Sequence, residues 1–469
     1  MARAQRENLQ MKVPALLHLS RLGYRFLSRN QLRGRDRLTN ILPDALRASV
    51  ERINHVSFSP EEASRLMADL QAQLDADDLG KRFYGTLRTG WHGLKLIDFA
   101  HPENNLFQSA AELVCGSGAG SFRPDLALFI NGFPLAMIEL KRRNHSGSLQ
   151  AEFDRMLKRF HSREGRRYLQ CTQIWAFSDD HADNPDQLQP AEGAFFATVM
   201  AEEFPVYAVR DSRSGTLSRP LSPDPEEEER ILLDNGFPSG TEPGLSRRSL
   251  SPNKPTHRML TILFSPDRLL FLLRYGIQYI RDTDAAEQEL ITRRMLTIRQ
   301  LSLLRLLIRK AARGFRNWSV PASGAAGEAA ANASVIALLR DLFPGALLYW
   351  IAADDARLKQ DQTALQSCGV LCAPPQPGME TQPDAVIMIT GNTDPEPLLM
   401  EHVRRSPAGR RVYILSHPFF GYMQQQKGFS ARLRRMDPNA ILITRTAQPE
   451  AEKPVDPDGT ILGFSMKKT

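Results

Sequence analysis

Apolar positions recur at two different spacings along the chain, and the switches between them divide it. Up to about Arg210, stretches with apolar residues three and four apart alternate with short continuous runs that read as strands. The clearest pair of runs lies in RPDLALFINGFPLAMIELKRRN, residues 123–144. DLALFI alternates, Asn131-Gly132 supplies two residues tolerant of positive φ, and PLAMIELK resumes strand character, which predicts a β-hairpin. From 211 to about 257 the chain turns rich in Ser, Pro, Gly and charge and reads as a linker holding one short helix around Glu226 to Leu233. DRLLFLLRYGIQYIRD and ELITRRMLTIRQLSLLRLLIRKAARG place apolar residues at spacings of three and four, so 258–314 reads as a helical connector. From about Phe315 the runs ALLYWIA, DAVIMIT, RVYILS and AILITRT alternate with helical segments such as ASVIALLRDLF and PLLMEHVRR. That alternation predicts an α/β domain with a doubly wound parallel sheet, whose ligands bind beyond the carboxyl ends of the strands.

The charges around the hairpin constrain its register. A two-residue loop at Asn131-Gly132 sets Asp125 opposite Ile138 and sends Glu139 to the other face. A three-residue loop that includes Phe133, or a five-residue loop that also takes in Ile130 and Pro134, sets Asp125 opposite Glu139, with Lys141 on the same face. Pro134 has no amide proton and suits a loop edge better than a ladder position, so an odd-length loop is expected. Two opposed carboxylates offer hard oxygen ligands for Mg²⁺ or Mn²⁺ at a phosphodiester, and a lysine beside them can orient or deprotonate water. The alternative is a solvated strand edge carrying a cross-strand charge cluster.

Composition narrows the class. In 469 residues, 42% hydrophobic and 24% charged fits a soluble globular protein with two or three cored domains and excludes a disordered or fibrous chain. Sixty Lys plus Arg against 53 Asp plus Glu gives +7, which suits a polyanionic partner. Cys115, Cys171, Cys368 and Cys372 are too scattered for a disulfide framework or a zinc site, which fits a reducing cytoplasm. The apolar run near the N-terminus is broken by His18 and Arg21, and LLFLLRYGI by Arg274, so neither secretion nor a membrane span is expected.

The order PD, apolar strand, NGFPL, apolar run, ELK resembles the PD-(D/E)xK nuclease domain of the type I restriction enzyme motor subunit. LLHLSRLGYRFL, HPENNLF, AFSDD and FFATVMAEEF extend the resemblance to about residue 210. It implies a mixed sheet flanked by helices, Asp125 and Glu139 as metal ligands and Lys141 as catalytic lysine. It also implies Mg²⁺ or Mn²⁺ as cofactor, duplex DNA as substrate, and partner proteins of a defence system. Two positions depart from the family. The first helix, MKVPALLHL, lacks the family's acidic residue, leaving Glu103 and Glu112 as candidates for a third ligand. The family's Gln-xxx-Tyr pair is met only by Gln150 and Phe160, at another spacing.

In that family two RecA-like lobes follow the nuclease, and 315–469 resembles a degenerate first lobe. At the phosphate loop, SVPASGAAGEAA aligns Ser323-Gly324 with the motif and puts Ala325 and Ala326 at its Lys and Thr positions. In YILSHPFF, Ser416 and His417 replace the metal-binding and water-activating acids, and in NAILITRTAQP, Ala447-Gln448 replaces Gly-Thr. The chain ends at Thr469, before a second lobe, so no ATP is expected to act. An unrelated α/β domain is the alternative for this region. For the whole chain, the reading is an endonuclease on segments 1–210, 211–257, 258–314 and 315–469, and the alternative is a non-catalytic DNA-binding or assembly subunit. His55, His92 and His101 read as structural, CGVLC as core, and Arg432, Arg434 and Arg435 as a solvated helix face or phosphate contacts.

Overall fold

A computed structural model describes residues 11–116, 121–140, 155–156, 158–160, 162, 165–178, 180, 194–198, 207–208, 222, 224–237, 254–283, 289–321, 328–375, 384–390, 395–405, 409–416 and 429–446. The chain divides into two compact units, Met1–Arg274 and Tyr275–Thr469.

The first unit runs α1 (Val13–Arg21), β1 (Arg25–Phe26), α2 (Pro43–Asn54), α3 (Pro60–Leu74), α4 (Lys81–Thr89), β2 (Phe107–Ala111), β3 (Leu126–Ile130) and β4 (Phe133–Leu140). It continues with α5 (Arg166–Cys171), β5 (Ile174–Ser178), β6 (Ala194–Ala197), β7 (Tyr207–Ala208), α6 (Pro225–Asp234), α7 (Pro255–Phe264) and α8 (Pro266–Tyr275). The strands form one mixed sheet in the order of the chain, β1 to β7. β1 with β2 and β4 with β5 are parallel, and the other neighbours are antiparallel. Every residue of β3 and β4 is buried, as expected of central strands covered on both faces.

Local chemistry sets the helix starts. Pro residues stand in the first turn of α1, α2, α3, α6 and α7, where a missing amide costs nothing. Ser59 and Glu62 form a reciprocal capping box on α3, and Asp224 caps α6, the short helix foreseen inside the linker. Helix α1 buries Val13 through Leu19 and is pinned to α7. The His18 ring stacks on His257 at 4.6 Å, and His18 Nε2 shares a 2.8 Å hydrogen bond with Thr261 Oγ1. Burial, with the neighbouring His257 and Arg21 adding to it, pushes His18 down to about 3, so its ring packs neutral.

The second unit begins with a two-stranded hairpin, β8 (Ile277–Thr283) and β9 (Glu289–Met295), followed by α9 (Ile298–Ala312). This corrects the helical reading of 277–295. The segment is rich in β-branched residues, and antiparallel pairing of Ile277–Thr283 with Glu289–Met295 decides it toward strand over the three-four spacing. The expected amphipathic helix survives as α9, behind a Thr297–Gln300 capping box.

Then come β10 (Asn317–Pro321), α10 (Glu328–Leu342), β11 (Leu347–Ala352), α11 (Asp355–Ser367), β12 (Cys372–Ala373), β13 (Val386–Thr390), α12 (Glu396–Arg405), β14 (Arg411–Leu415), α13 (Phe429–Met436) and β15 (Ile441–Thr446). The strands β10 to β15 form an all-parallel sheet, ordered β10-β15-β14-β11-β13-β12. Tyr349, Ile351, Ile387, Tyr413 and Leu415 pack one core face with Leu399. Among the described residues no helix is long and apolar enough to cross a membrane.

Candidate functional site

The hairpin reaches the opposed register by a different route from the one expected. Ile130 pairs with Phe133, so the loop has two residues, and Asn131 and Gly132 take φ of 52° and 85° as a type I′ turn requires. The odd residue lies within β4. Phe129 pairs with Pro134 and Leu128 with Ala136, so Leu135 is a β-bulge. Past the bulge Leu126 pairs with Ile138, and the next step sets Asp125 opposite Glu139. Pro134 therefore sits in the ladder, beside the bulge, where a missing amide is tolerated.

Long-range contacts select this turn. The buried Asn131 amide donates to Leu96 O at 2.9 Å and Asn105 Oδ1 at 2.8 Å, while its Oδ1 accepts from Leu106 N at 2.8 Å. HPENNLF is thus the brace of the turn. Gly132 lies against α2: Leu42 N donates to Gly132 O, and a Cβ at Gly132 would stand 2.7 Å from Leu42 O. Gly132→Ala is expected to cost about 1–3 kcal/mol through positive-φ strain alone, with the clash added. Chemical denaturation measures it, and an unchanged midpoint would mean that the turn relaxes.

At the other end of the hairpin, charged groups gather. Asp125 immediately precedes β3; its Oδ2 accepts from Leu140 N at 2.8 Å and its Oδ1 lies 3.1 Å from Lys12 Nζ. Lys12 Nζ also donates to Glu112 Oε1 at 2.5 Å. Glu112 follows β2 with φ of 50°, uncommon for a residue with a side chain, and its N–H donates to Asp125 O at 3.1 Å. Glu139, in β4, is 4% exposed. Lys141 and Gln150 lie outside the described residues, and Phe160 is buried.

Of the two candidate third acids, the fold brings in Glu112 and leaves out Glu103. Glu103 is exposed in the short turn Pro102–Asn104, whose neighbour Asn105 braces the Asn131 end of the hairpin, roughly 17 Å of strand away. Sequence reasoning missed Lys12. Its signal was a charge placed directly before the apolar run Val13–Leu17, in the region where the resembling family carries an acid.

The Lys12 hydrogen bond holds the Glu112 carboxyl below its ordinary range against the opposing effect of burial, with Arg29 and Arg123 adding to it. Burial pulls the Lys12 ammonium down, but Asp125 and Glu112 together outweigh it and leave its pKa raised. Among the described residues no three His, Cys, Asp or Glu side chains alone are grouped to hold a metal. The donor chemistry nevertheless suits one. Two carboxylates already converge on a cation, the ammonium, and Mg²⁺ characteristically takes one or two carboxylates and keeps several waters.

The histidines stand apart from this cluster. His55 closes α2 in a left-handed conformation, His92 packs edge-on against Trp91, and His101 lies 3.4 Å from Asp98. All four thiols are free, and burial pushes Cys368 and Cys372 up to about 11.

In the second unit the three segments resembling nucleotide motifs follow β10, β14 and β15, which are adjacent in the sheet. Ser323, Gly324, Ala325, Ala326, His417, Ala447 and Gln448 lie outside the described residues. Ser416 directly follows β14, and its hydroxyl donates to the buried Asp361 Oδ2 at 2.6 Å. Trp350 Nε1 donates to the same oxygen at 2.8 Å, and Arg357 lies 2.9 Å from Asp361 Oδ1. Glu328 pairs with Arg357 and with the buried Arg445, at 3.2 and 3.4 Å. Acids and bases here satisfy one another. Of the basic residues on α13, Arg434 is tied to Ala440 O and Arg316 O, and Arg432 to Glu396, while Arg435 is exposed.

Residues 4–183 match the family described as the type I restriction enzyme R protein N terminus. The match contains Lys12, Glu112, Asp125 and Glu139 and ends within the first unit. No curated protein matches the sequence.

Proposed function

We propose, from the match of residues 4–183 to the type I restriction enzyme R protein N terminus, that the first unit is a Mg²⁺- or Mn²⁺-dependent DNA endonuclease module of a restriction or antiphage system. The observation that carries this is the bulged register, which sets Asp125 opposite Glu139 beside Glu112 within the matched residues. Asp125 and Glu139 hold the metal, which when bound neutralises a phosphate oxygen and the charge developing on it. Leu140 N–H fixes the Asp125 carboxylate, so its other oxygen keeps one orientation. Lys141, at the ExK spacing, orients the attacking water.

Charge around the cluster suits the substrate. Arg29 and Arg123 are exposed, and both act electrostatically on the Glu112 carboxyl. Guanidiniums beside a phosphodiester site supply sequence-independent affinity through counterion release. The test is cleavage of duplex DNA by the purified protein, alone or with a partner that relieves inhibition, in Mg²⁺ or Mn²⁺ and not in EDTA.

The second unit acts in this reading as a docking scaffold for DNA or a partner subunit, without ATP turnover. Its phosphate-loop segment has Ala325 and Ala326 where a lysine and a hydroxyl are needed, and the polar groups near β14 are engaged with each other. No ATP hydrolysis and at most weak ATP affinity are expected. Calorimetry recording tight Mg²⁺-ATP binding that is lost on altering Gly324 would overturn this.

A further inference from the structure

We propose that Lys12 is a resident counter-cation of the acidic cluster, competing with the divalent ion for Glu112 and Asp125, and that it thereby sets the metal concentration at which the site fills. This rests on the nuclease reading above. The Lys12 ammonium stands 2.5 Å from Glu112 Oε1 and 3.1 Å from Asp125 Oδ1, with only 11% of its side chain exposed. Asp125 Oδ1 is a hard donor of the proposed metal site, and Glu112 Oε1 stands where a third donor would reach the same ion.

A fixed helix delivers the ammonium. Lys12 is the N-cap residue of α1, and α1 is held by the His18–His257 stack, the Thr261 hydrogen bond and a 2.8 Å ion pair from Arg21 to Glu228. Glu112 is fixed too. Its left-handed backbone is bonded to Asp125 O, an arrangement that costs energy and persists only because its surroundings hold it. The Lys12 stem has four carbons, which let the head swing out while helix and strands stay in place.

A dication brings twice the charge of the ammonium to the same oxygens, and two cations within one such cluster repel. Metal entry therefore requires the ammonium to leave. Without Lys12, Glu112 and Asp125 would lose the cation that bridges them, so the metal-free protein would be less stable and the metal-bound protein relieved.

The test measures metal binding without DNA. Mn²⁺ is titrated into the full-length parent, Lys12→Met, Lys12→Gln and Lys12→Arg by calorimetry, and the thermal midpoint of each is read with and without Mn²⁺. The Met and Gln variants are expected to bind Mn²⁺ about tenfold more tightly. They should melt lower than the parent without metal and gain more from its addition, while Lys12→Arg behaves as the parent does. Parent-like or weaker Mn²⁺ binding by both the Met and Gln variants overturns the proposal. If the parent still cuts DNA in that case, the nuclease reading stands and only the role of Lys12 falls. If no protein in the series binds Mn²⁺ at millimolar concentration, both readings fall together.

Discussion

Asp125→Ala, Glu139→Ala and Lys141→Ala are each expected to abolish metal-dependent cleavage of duplex DNA while leaving DNA binding near normal. Two carboxylates are needed to neutralise a dication at the phosphate, and a positioned base is needed to present water to it. Loss of one such group typically costs a factor of hundreds or more, on the order of 3 kcal/mol of transition-state stabilisation. Affinity has another origin. It comes from many Lys and Arg residues displacing counterions, so all three variants should keep salt-sensitive binding, with a slope of log affinity against log salt close to the parent's. Because Glu139 is buried, Glu139→Gln serves as an isosteric companion, and melting curves confirm that each variant is folded. If all three cut like the parent, the activity belongs elsewhere and the non-catalytic assembly reading replaces this one.

The second large effect is on stability. Asp437, 3% exposed, accepts from Arg411 Nε and from Tyr413 OH at 3.1 Å. Burial opposes the Arg411 charge, but the Asp437 hydrogen bond and charge outweigh it and leave the guanidinium pKa raised, while burial, then Asp437, pushes the Tyr413 phenol up. Asp437→Ala strips a buried cation of its carboxylate, which typically costs about 3–5 kcal/mol. In a unit of this size that lowers the melting temperature by roughly 10 °C. Asp437→Asn, which keeps oxygen and shape but not charge, should fall between the two. A melt of Asp437→Ala that overlays the parent would mean that Arg411 escapes to water.

Some of these features were written locally. The hairpin followed from Asn131-Gly132 between two apolar runs, since positive φ at two successive positions suits few other residues. Strands β11, β13, β14 and β15 followed from four short apolar runs separated by helical spacing, a pattern that a parallel sheet covered on both faces requires. The opposed carboxylates followed from parity: Asp125 and Glu139 face each other only if one odd residue enters the hairpin.

Where that residue enters was a tertiary matter. Parity counts residues and cannot distinguish a longer loop from a bulge, and the choice fell to Asn105, Leu96 and Leu42, which lie 26 to 90 residues away from the turn and hold it at two residues. The same limit hid the Lys12 cluster. Lys12, Glu112 and Asp125 belong to three separate segments, and which acid joins depends on β2 pairing with β3 so that Glu112, not Glu103, arrives at the Asp125 end. In 277–295 the three-four spacing pointed to helix, and pairing of β8 with β9 resolved it toward strand. By itself the sequence determined the periods and the turn chemistry, because those depend on neighbours along the chain. Tertiary structure alone decided the bulge at Leu135, the choice of Glu112 and the seat of Lys12, because each depends on contacts between residues far apart in sequence.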